Sequence, residues 1–174
     1  AYRYVSQSAM QRAQAILVPT NYVKEQVTAY VDDPTKIVVT SEGVSRFFLQ
    51  SPSVGQEKRA SKTKERAPYL VYTGSLYPHK NVEVVLQALQ GIPYLQLKVV
   101  TARSIFLDHF WQRATDLEVS DQVEVLHALS DREVRKLYQG AVALVQPSLS
   151  EGFGLTGVEA LATGCPVVAS DIPV

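Results

Sequence analysis

Apolar residues along this chain alternate between a helical rhythm and short buried runs. Val5, Ala9, Met10 and Ala13 recur at helical spacing, and the run Ala15-Ile16-Leu17-Val18 that follows suits a strand. Thr20 or Asn21 can cap a helix reaching Tyr30, with Val23, Val27 and Tyr30 on one face, and Asp33-Pro34 breaks it. The β-branched run Ile37-Val38-Val39-Thr40 predicts another strand, with a turn at Glu42-Gly43. After residue 68 the two signals alternate regularly. Strands are predicted at Tyr69 to Thr73, Leu95 to Val100, Val123 to Leu126, Ala141 to Val145 and Val167 to Ala169. Between them helices are predicted at Val82 to Leu89, Ile105 to Leu117, Asp131 to Tyr138 and Leu155 to Ala162. Val82, Val85, Leu86 and Leu89 make an i, i+3, i+4, i+7 stripe, and Ser130 with Glu133 reads as a capping box.

Strands alternating with helices give βαβ units, so the expected fold is α/β with a Rossmann-like, doubly wound, mainly parallel sheet. In such sheets ligands sit beyond the carboxyl ends of the strands. The loops of interest are therefore Gly74 to Asn81, Thr101 to Ser104, His127 to Ser130 and Ser148 to Gly154. From Gln50 to Pro68 the composition turns to Ser, Pro, Gly and charge, with Lys58, Arg59, Lys62, Lys64 and Arg66 against Glu57 and Glu65. That stretch reads as an exposed linker. The expected organisation is a first piece over 1–48, a linker over 49–67 and a second domain over 68–174.

Composition narrows the function classes. The 174 residues suffice for one domain, and 17 basic side chains balance 17 acidic ones, so no overall basic field exists to hold nucleic acid or an anionic membrane. No apolar run approaches the roughly 20 residues of a membrane span. One cysteine, Cys165, and three scattered histidines offer neither an internal disulfide nor a metal-ligand spacing, so a reducing cytoplasmic setting and no metal are expected. The start at Ala1-Tyr2-Arg3-Tyr4 has no features of a signal peptide, and the end follows directly on a predicted strand. Both ends suggest a piece of a longer protein.

The segment Glu151-Gly152-Phe153-Gly154-Leu155-Thr156-Gly157-Val158-Glu159 is the richest in chemistry. Two glycines between a strand and a helix let the backbone approach a ligand, and the unpaired N–H groups of the helix's first turn suit an anion such as phosphate. Glu159 is the only charged side chain from Gly152 through Ser170, set among Val158, Ala160, Leu161 and Ala162, and a carboxylate there needs donors such as a ribose diol. A solvent-facing or Lys/Arg-paired Glu159 is the ordinary alternative. Two carboxylates eight positions apart also allow a glycosidase pair, but that chemistry has no use for the helix terminus. In the loop Thr73-Gly74-Ser75-Leu76-Tyr77-Pro78-His79-Lys80-Asn81, Lys80 can reach a phosphate as a point charge, and Asn81 is expected to cap the helix that follows. His79 reads as a loop residue rather than a base.

Together these segments resemble the retaining glycosyltransferases of family 4, the group-1 type with the GT-B architecture of two facing Rossmann-like domains. The resemblance rests on Tyr72-Thr73-Gly74-Ser75 with Pro78-His79-Lys80-Asn81, on Ser130 to Tyr138, and on Pro147-Ser148-Leu149-Ser150-Glu151-Gly152-Phe153-Gly154-Leu155. Glu159-Ala160 and Gly164-Cys165-Pro166-Val167-Val168-Ala169-Ser170-Asp171 complete it. Residues 1 to 48 are similar to the end of the family's N-terminal domain, with Pro19-Thr20 where Val-Ser is common and Glu42-Gly43-Val44 where Asn-Gly-Val is common.

The resemblance implies that the parent transfers a sugar from a nucleotide-diphosphate donor to an acceptor with retention, without a metal ion or other cofactor. It gives Glu151 the donor sugar hydroxyls, Lys80 the diphosphate and Glu159 the ribose. Backbone at Gly74, Ser75, Gly152, Phe153, Gly154, Leu155 and Thr156 would lie along the donor. Glu151 and Lys80 are the catalytic candidates. A glycan or lipid-linked acceptor would bind through the missing part of the N-terminal domain, nucleic acid is not a partner, and the parent is expected in the cytoplasm, with peripheral membrane association an option. This piece alone is expected to be inactive. Two departures stand out: Ser75 replaces an Arg that many members use beside the Lys, and Thr101-Ala102-Arg103-Ser104 replaces a Gly-rich turn, where Arg103 is a candidate compensating charge. A nucleotide-binding module without transfer activity remains the alternative of a different class, and a purely structural domain is a third.

Overall fold

The computed structural model describes residues 2–49, 67–102 and 104–174, so nearly all of the expected linker, and Arg103, lie outside the described residues. The chain forms two compact units. One comprises Ala1–Gly43, Ser150–Leu155 and Ile172–Val174, and the other Val44–Leu149 with Thr156–Asp171.

In the first unit, α1 (Tyr2–Arg12), β1 (Ile16–Val18), α2 (Asn21–Thr28), a 3₁₀ turn at Pro34–Lys36 and β2 (Ile37–Val39) follow one another. β1 and β2 pair in parallel, Ile16 opposite Ile37. Val18, Val31 and Ile37 are buried there, with Met10, Ile16, Val23 and Val27 packed against them. Thr20 is the residue that caps α2, its Oγ1 accepting from the Val23 N–H at 3.2 Å. The helix stops two residues before the expected Tyr30. Tyr30 N–H bonds to Val27 O at 2.9 Å, an i→i−3 closure that tightens the last turn, leaves Tyr30 40% exposed and turns Val31 into the core.

The second unit is a five-stranded sheet in the order β5-β4-β3-β6-β7, every neighbouring pair parallel. Its strands are β3 (Tyr69–Thr73), β4 (Gln96–Val100), β5 (Val123–Leu126), β6 (Ala143–Gln146) and β7 (Val167–Ala169). The connecting helices are α3 (Glu83–Leu89), α4 (Leu107–Asp116), α5 (Asp131–Gly140) and α6 (Leu155–Ala162). The doubly wound α/β expectation is thus realised: strand alternation on β3 sends Tyr72 to one face and Val71 to the other. Tyr72 joins the core built on Val82, Val85, Leu86, Leu89, Phe110 and Ala114 of the α3/α4 side. Val71 joins Phe48, Tyr138, Leu144, Ala160 and Cys165 on the α5/α6 side. The predicted stripe of α3 is buried throughout, and the capping box of Ser130 and Glu133 is present.

Several edges differ from the periodicity. β6 starts at Ala143, because α5 continues to Gly140 and Ala141 serves as its C-cap. Val142 then donates to Tyr69 O at 2.9 Å and stays exposed. α4 begins at Leu107 instead of Ile105, since Ser104 Oγ accepts from Phe106 N–H at 3.2 Å in a turn that leaves Ile105 87% exposed. Asn81 does not cap α3. It closes the 3₁₀ turn Pro78–Lys80 in the left-handed region (φ 52°), and Val82 occupies the N-cap position without a side-chain bond. The Pro78 ring starts that turn, and the asparagine side of Asn81 is spent on tolerating positive φ rather than on capping.

Candidate functional site

At the carboxyl end of β3 the backbone turns through Gly74 (φ +153°), where a Cβ would stand 3.0 Å from Tyr72 Oη. That close approach is what the glycine permits. The Tyr72 hydroxyl donates to Ser75 O, and Gly74 N–H bonds to Val100 O at 3.0 Å, tying the turn to β4. Next to it, Thr101 N–H bonds to Leu126 O at 3.1 Å, and His127 Nδ1 lies 2.7 Å from Thr101 O. The ends of β3, β4 and β5 are thereby fixed around a cavity of about 630 Å³, lined by Gly74, Ser75, Tyr77, Thr101, Ile105 and Leu129 among others. This is the position that doubly wound sheets reserve for ligands. Thr101 and Ser104 keep the walls polar without a glycine, and Ala128 takes positive φ (54°) to bring the β5–α5 connection round.

Lys80 is half-buried at the end of the 3₁₀ turn and does not line that cavity. Its turn is anchored from the β6 side, where Leu149 N–H bonds to His79 O at 2.7 Å. The His79 ring is exposed and stacks on Tyr77 at 5.9 Å between centroids.

Glu151, Gly152, Phe153, Gly154 and Leu155 run consecutively in the first unit. Thr20 Oγ1 donates to Gly152 O at 3.2 Å, and a Cβ on Gly152 would lie 3.8 Å from the Pro19 ring. Gly154 takes φ +82° immediately before α6 begins at Leu155. The loop thus enters the helix through a conformation that an L side chain rarely adopts. Thr20 serves two purposes, capping α2 and holding Gly152. Replacing Thr20 by Ala is expected to lower stability by about 0.5–2 kcal/mol, as for other lost caps. Chemical denaturation of the parent and variant would measure the difference, and an unchanged midpoint would remove the cap from the account.

Thr156 and Glu159 stand one helical turn apart in the second unit. Glu159 is half-buried, and burial, then the charge of Asp131, raises its carboxyl pKa. None of the described residues donates a hydrogen bond to it. The apolar run around it is not buried throughout: Gly157 and Ala160 face inward, whereas Val158 is 38% and Leu161 60% exposed. At Gly157 a Cβ would fall 2.6 Å from Gln146 Oε1, so that amide would have to swing aside for any larger residue. Of the cavity walls, Tyr77 and Leu129 lie in loops marked from the sequence without being singled out, Ile105 lies outside those loops, and the buried hydroxyls of Thr73 and Tyr138 on the α5/α6 side were missed. Thr73 lines the cavity, and both hydroxyls lack a hydrogen-bond partner. Among the described residues no group of three His, Cys, Asp or Glu is placed to hold a metal, and no helix is long and apolar enough to cross a membrane.

Comparison with known proteins fits this geometry. The chain is 32% identical over 176 residues to the O-antigen chain mannosyltransferase RfbU of Salmonella typhimurium, covering 99% of this chain and 46% of that protein. It is 28% identical to the D-inositol 3-phosphate glycosyltransferase of Mycobacterium sp. strain JLS, covering 95% of this chain and 39% of the relative. The chain therefore spans less than half the length of these curated relatives. Among solved structures, Anabaena HepE in complex with UDP and glucose superposes with a TM-score of 0.77 at 20% identity, over 97% of this chain and 47% of that one. WaaG, a glycosyltransferase involved in lipopolysaccharide biosynthesis, gives 0.77 at 20% identity, over 98% and 48%. These likenesses carry the fold, which is that of the GT-B glycosyltransferases. Residues 54–174, more than half of the chain, match the family described as glycosyl transferases group 1, and the chain belongs to that family.

Proposed function

We propose that the full-length protein transfers a sugar from a nucleoside-diphosphate donor to an acceptor with retention of anomeric configuration, as family-4 glycosyltransferases do. In this reading the chain is most of the donor-binding half, with 1–48 the end of the acceptor-side domain, 49–67 the linker and 68–174 the donor domain. The observation that carries the reading is the cavity at the carboxyl ends of β3, β4 and β5, with Gly74 and Ser75 on its wall. It is large enough for a nucleoside. The HepE complex, whose described ligands are UDP and glucose, supports a nucleotide-sugar donor. RfbU, an O-antigen chain mannosyltransferase, supports a mannosyl donor and a glycan or lipid-linked acceptor in polysaccharide assembly.

Each residue then has a distinct task. Lys80 neutralises the diphosphate as it leaves and the N–H groups of the first turn of α6 assist it; the anomeric C–O bond breaks with its electron pair going to the diphosphate oxygen, the acceptor hydroxyl oxygen forms the new bond to the anomeric carbon on the same face, and the acceptor's proton passes to the departing diphosphate. Glu151 accepts hydrogen bonds from the sugar hydroxyls and Glu159 from the ribose. Neither carboxylate has to form a covalent bond. Phosphate charge is met by protein groups, so no metal is required, and the reaction belongs in the cytoplasm, at the membrane surface where the acceptor is lipid-linked.

A thermal-shift series on the full-length protein with UDP- and GDP-sugars tests this directly. At about 100 times its dissociation constant, a donor should stabilise the protein by about 2.7 kcal/mol. Excess chelator should leave both the shift and the turnover unchanged, and the product should keep the donor's anomeric configuration. Failure of every donor to shift the melt would refute nucleotide-sugar binding. Turnover lost to chelator and restored by Mg²⁺ or Mn²⁺ would refute the metal-free mechanism, and an inverted product would refute retention.

A further inference from the structure

Tyr77 stands where the turn bearing Lys80 begins, and it is also part of the cavity wall. Preceding a proline, it is held extended (φ −63°, ψ 148°), and its carbonyl accepts from Lys80 N–H at 2.8 Å. One further bond, Asn81 N–H to Pro78 O at 3.1 Å, closes the turn from within, and no side chain caps it. A 3₁₀ turn this short does not hold its own direction, because fixing its dihedrals costs more than so few bonds return. Tertiary contacts must set it. One is the bond from Leu149 N–H to His79 O. The other is a ladder of rings: Tyr77 lies 5.1 Å from Phe106 at 60° and 5.9 Å from His79 at 23°, centroid to centroid, both within the range of favourable aromatic pairs.

The ladder has a fixed foot. Phe106 occupies the N-cap position of α4, its N–H donates to Ser104 Oγ at 3.2 Å, its carbonyl accepts from Phe110 N–H at 3.0 Å, and its ring packs against the α3/α4 core. Tyr77 leans on that foot, and His79, the residue before Lys80, leans on Tyr77. Resting on the reading of Lys80 as the cation that meets the diphosphate, we propose that Tyr77 is the positioning residue for Lys80: its ring, braced by Phe106 and stacked with His79, holds the turn in one orientation before the ligand arrives. A flexible lysine stem gains from such a base, since each backbone orientation already removed is entropy that binding does not have to remove. Ser104 and Ile105, the two residues before Phe106, line the cavity, so the ladder also ties the cavity wall to the turn that carries the cation. The ring makes these contacts, not the hydroxyl.

The test is calorimetry of uridine, guanosine, UDP and GDP binding to the full-length protein, with Tyr77→Ala, Tyr77→Phe, Lys80→Ala and the Tyr77→Ala, Lys80→Ala double variant. Tyr77→Ala should weaken the diphosphate by about three- to tenfold, the scale of one or two lost ring contacts, and leave the matching nucleoside within about twofold. Tyr77→Phe keeps the ring and should bind like the parent. In the Lys80→Ala background Tyr77→Ala should cost nothing further, because no cation is left to position. His79→Ala removes an exposed ring and keeps the backbone carbonyl that Leu149 uses. It should give a smaller loss of the same pattern, and it decides the matter should Tyr77→Ala fold poorly. Equal losses of nucleoside and diphosphate would make Tyr77 a direct contact of the nucleoside and overturn the proposal. So would a loss that persists undiminished without Lys80, a Tyr77→Phe variant as weak as Tyr77→Ala, or parental diphosphate affinity in both Tyr77→Ala and His79→Ala. A Lys80→Ala variant that binds diphosphate like the parent would instead overturn the assignment of Lys80 itself.

Discussion

Lys80→Ala is expected to weaken nucleoside-diphosphate binding by about 10- to 150-fold, the equivalent of roughly 1.5–3 kcal/mol for one charge-assisted contact. The size follows from position. Lys80 is half-buried at the end of a 3₁₀ turn that Pro78 starts and Leu149 anchors through His79, so its backbone is held in place before any ligand arrives. Ser75, where many family members have an Arg, brings a hydroxyl to the cavity wall but no charge, and the loss of Lys80 is the more severe for that. The effect should follow the phosphates: the diphosphate loses most and the bare nucleoside almost nothing. Lys80→Arg is not a neutral control, because a guanidinium fork and an ammonium point charge place their donors differently. Titration calorimetry of nucleoside, monophosphate and diphosphate would separate the contributions. Equal diphosphate affinity in variant and parent would return Lys80 to the ordinary solvated surface.

Much of the fold was legible in the chain because its cores are built from periodic side chains. The stripe Val82, Val85, Leu86, Leu89 is buried as its spacing requires, and strands Tyr69–Thr73, Val123–Leu126 and Val167–Ala169 fall where the apolar runs end. Misreadings gathered where a backbone conformation, not a side-chain pattern, decides. Asn81 looked like a helix cap because asparagine favours that position, but it equally tolerates positive φ, and the proline-started turn before it used that second property. Ala141 and Val142 looked like strand because they are apolar, yet α5 needed two more residues to close its last turn.

The site divides in the same way. Its glycines announced themselves at Gly74, directly after β3, and at Gly154, directly before α6, both with positive φ, where a backbone requirement explains them. The cavity's apolar walls, Tyr77 and Ile105, carried no such signal. Tyr138 was hidden for the opposite reason: a tyrosine inside a buried helical face reads as core, and only its buried hydroxyl, left without a hydrogen bond, distinguishes it from phenylalanine. Even Glu159 gave a partly misleading signal, since the apolar run that drew attention to it leaves Val158 and Leu161 exposed.

The two glutamates should fail in different ways. Glu159, on α6 with a carboxyl pKa raised chiefly by burial, accepts no hydrogen bond from the described residues and is assigned the ribose hydroxyls. Glu159→Gln should therefore weaken nucleoside diphosphate and intact donor alike, by about tenfold or more for one charge-assisted bond. The sign of the pH dependence follows from the acceptor. Hydroxyl donors favour the ionised carboxylate, so affinity should fall as pH drops through the raised pKa, beginning above the ordinary value of 4.5, and Glu159→Gln should lose that limb. Glu151 precedes Gly152 in the loop tied down by Thr20 and is assigned the sugar hydroxyls. Glu151→Gln should leave nucleoside-diphosphate affinity nearly intact while lowering the transfer rate by about 10²-fold, the scale of removing one group that acts on the reacting centre. Calorimetry with diphosphate and donor, beside initial rates of the full-length enzyme, reads both effects. Should Glu151→Gln abolish diphosphate binding while Glu159→Gln left it and its pH dependence untouched, the two roles would have to be exchanged, and the ribose would lie against the loop instead of the helix.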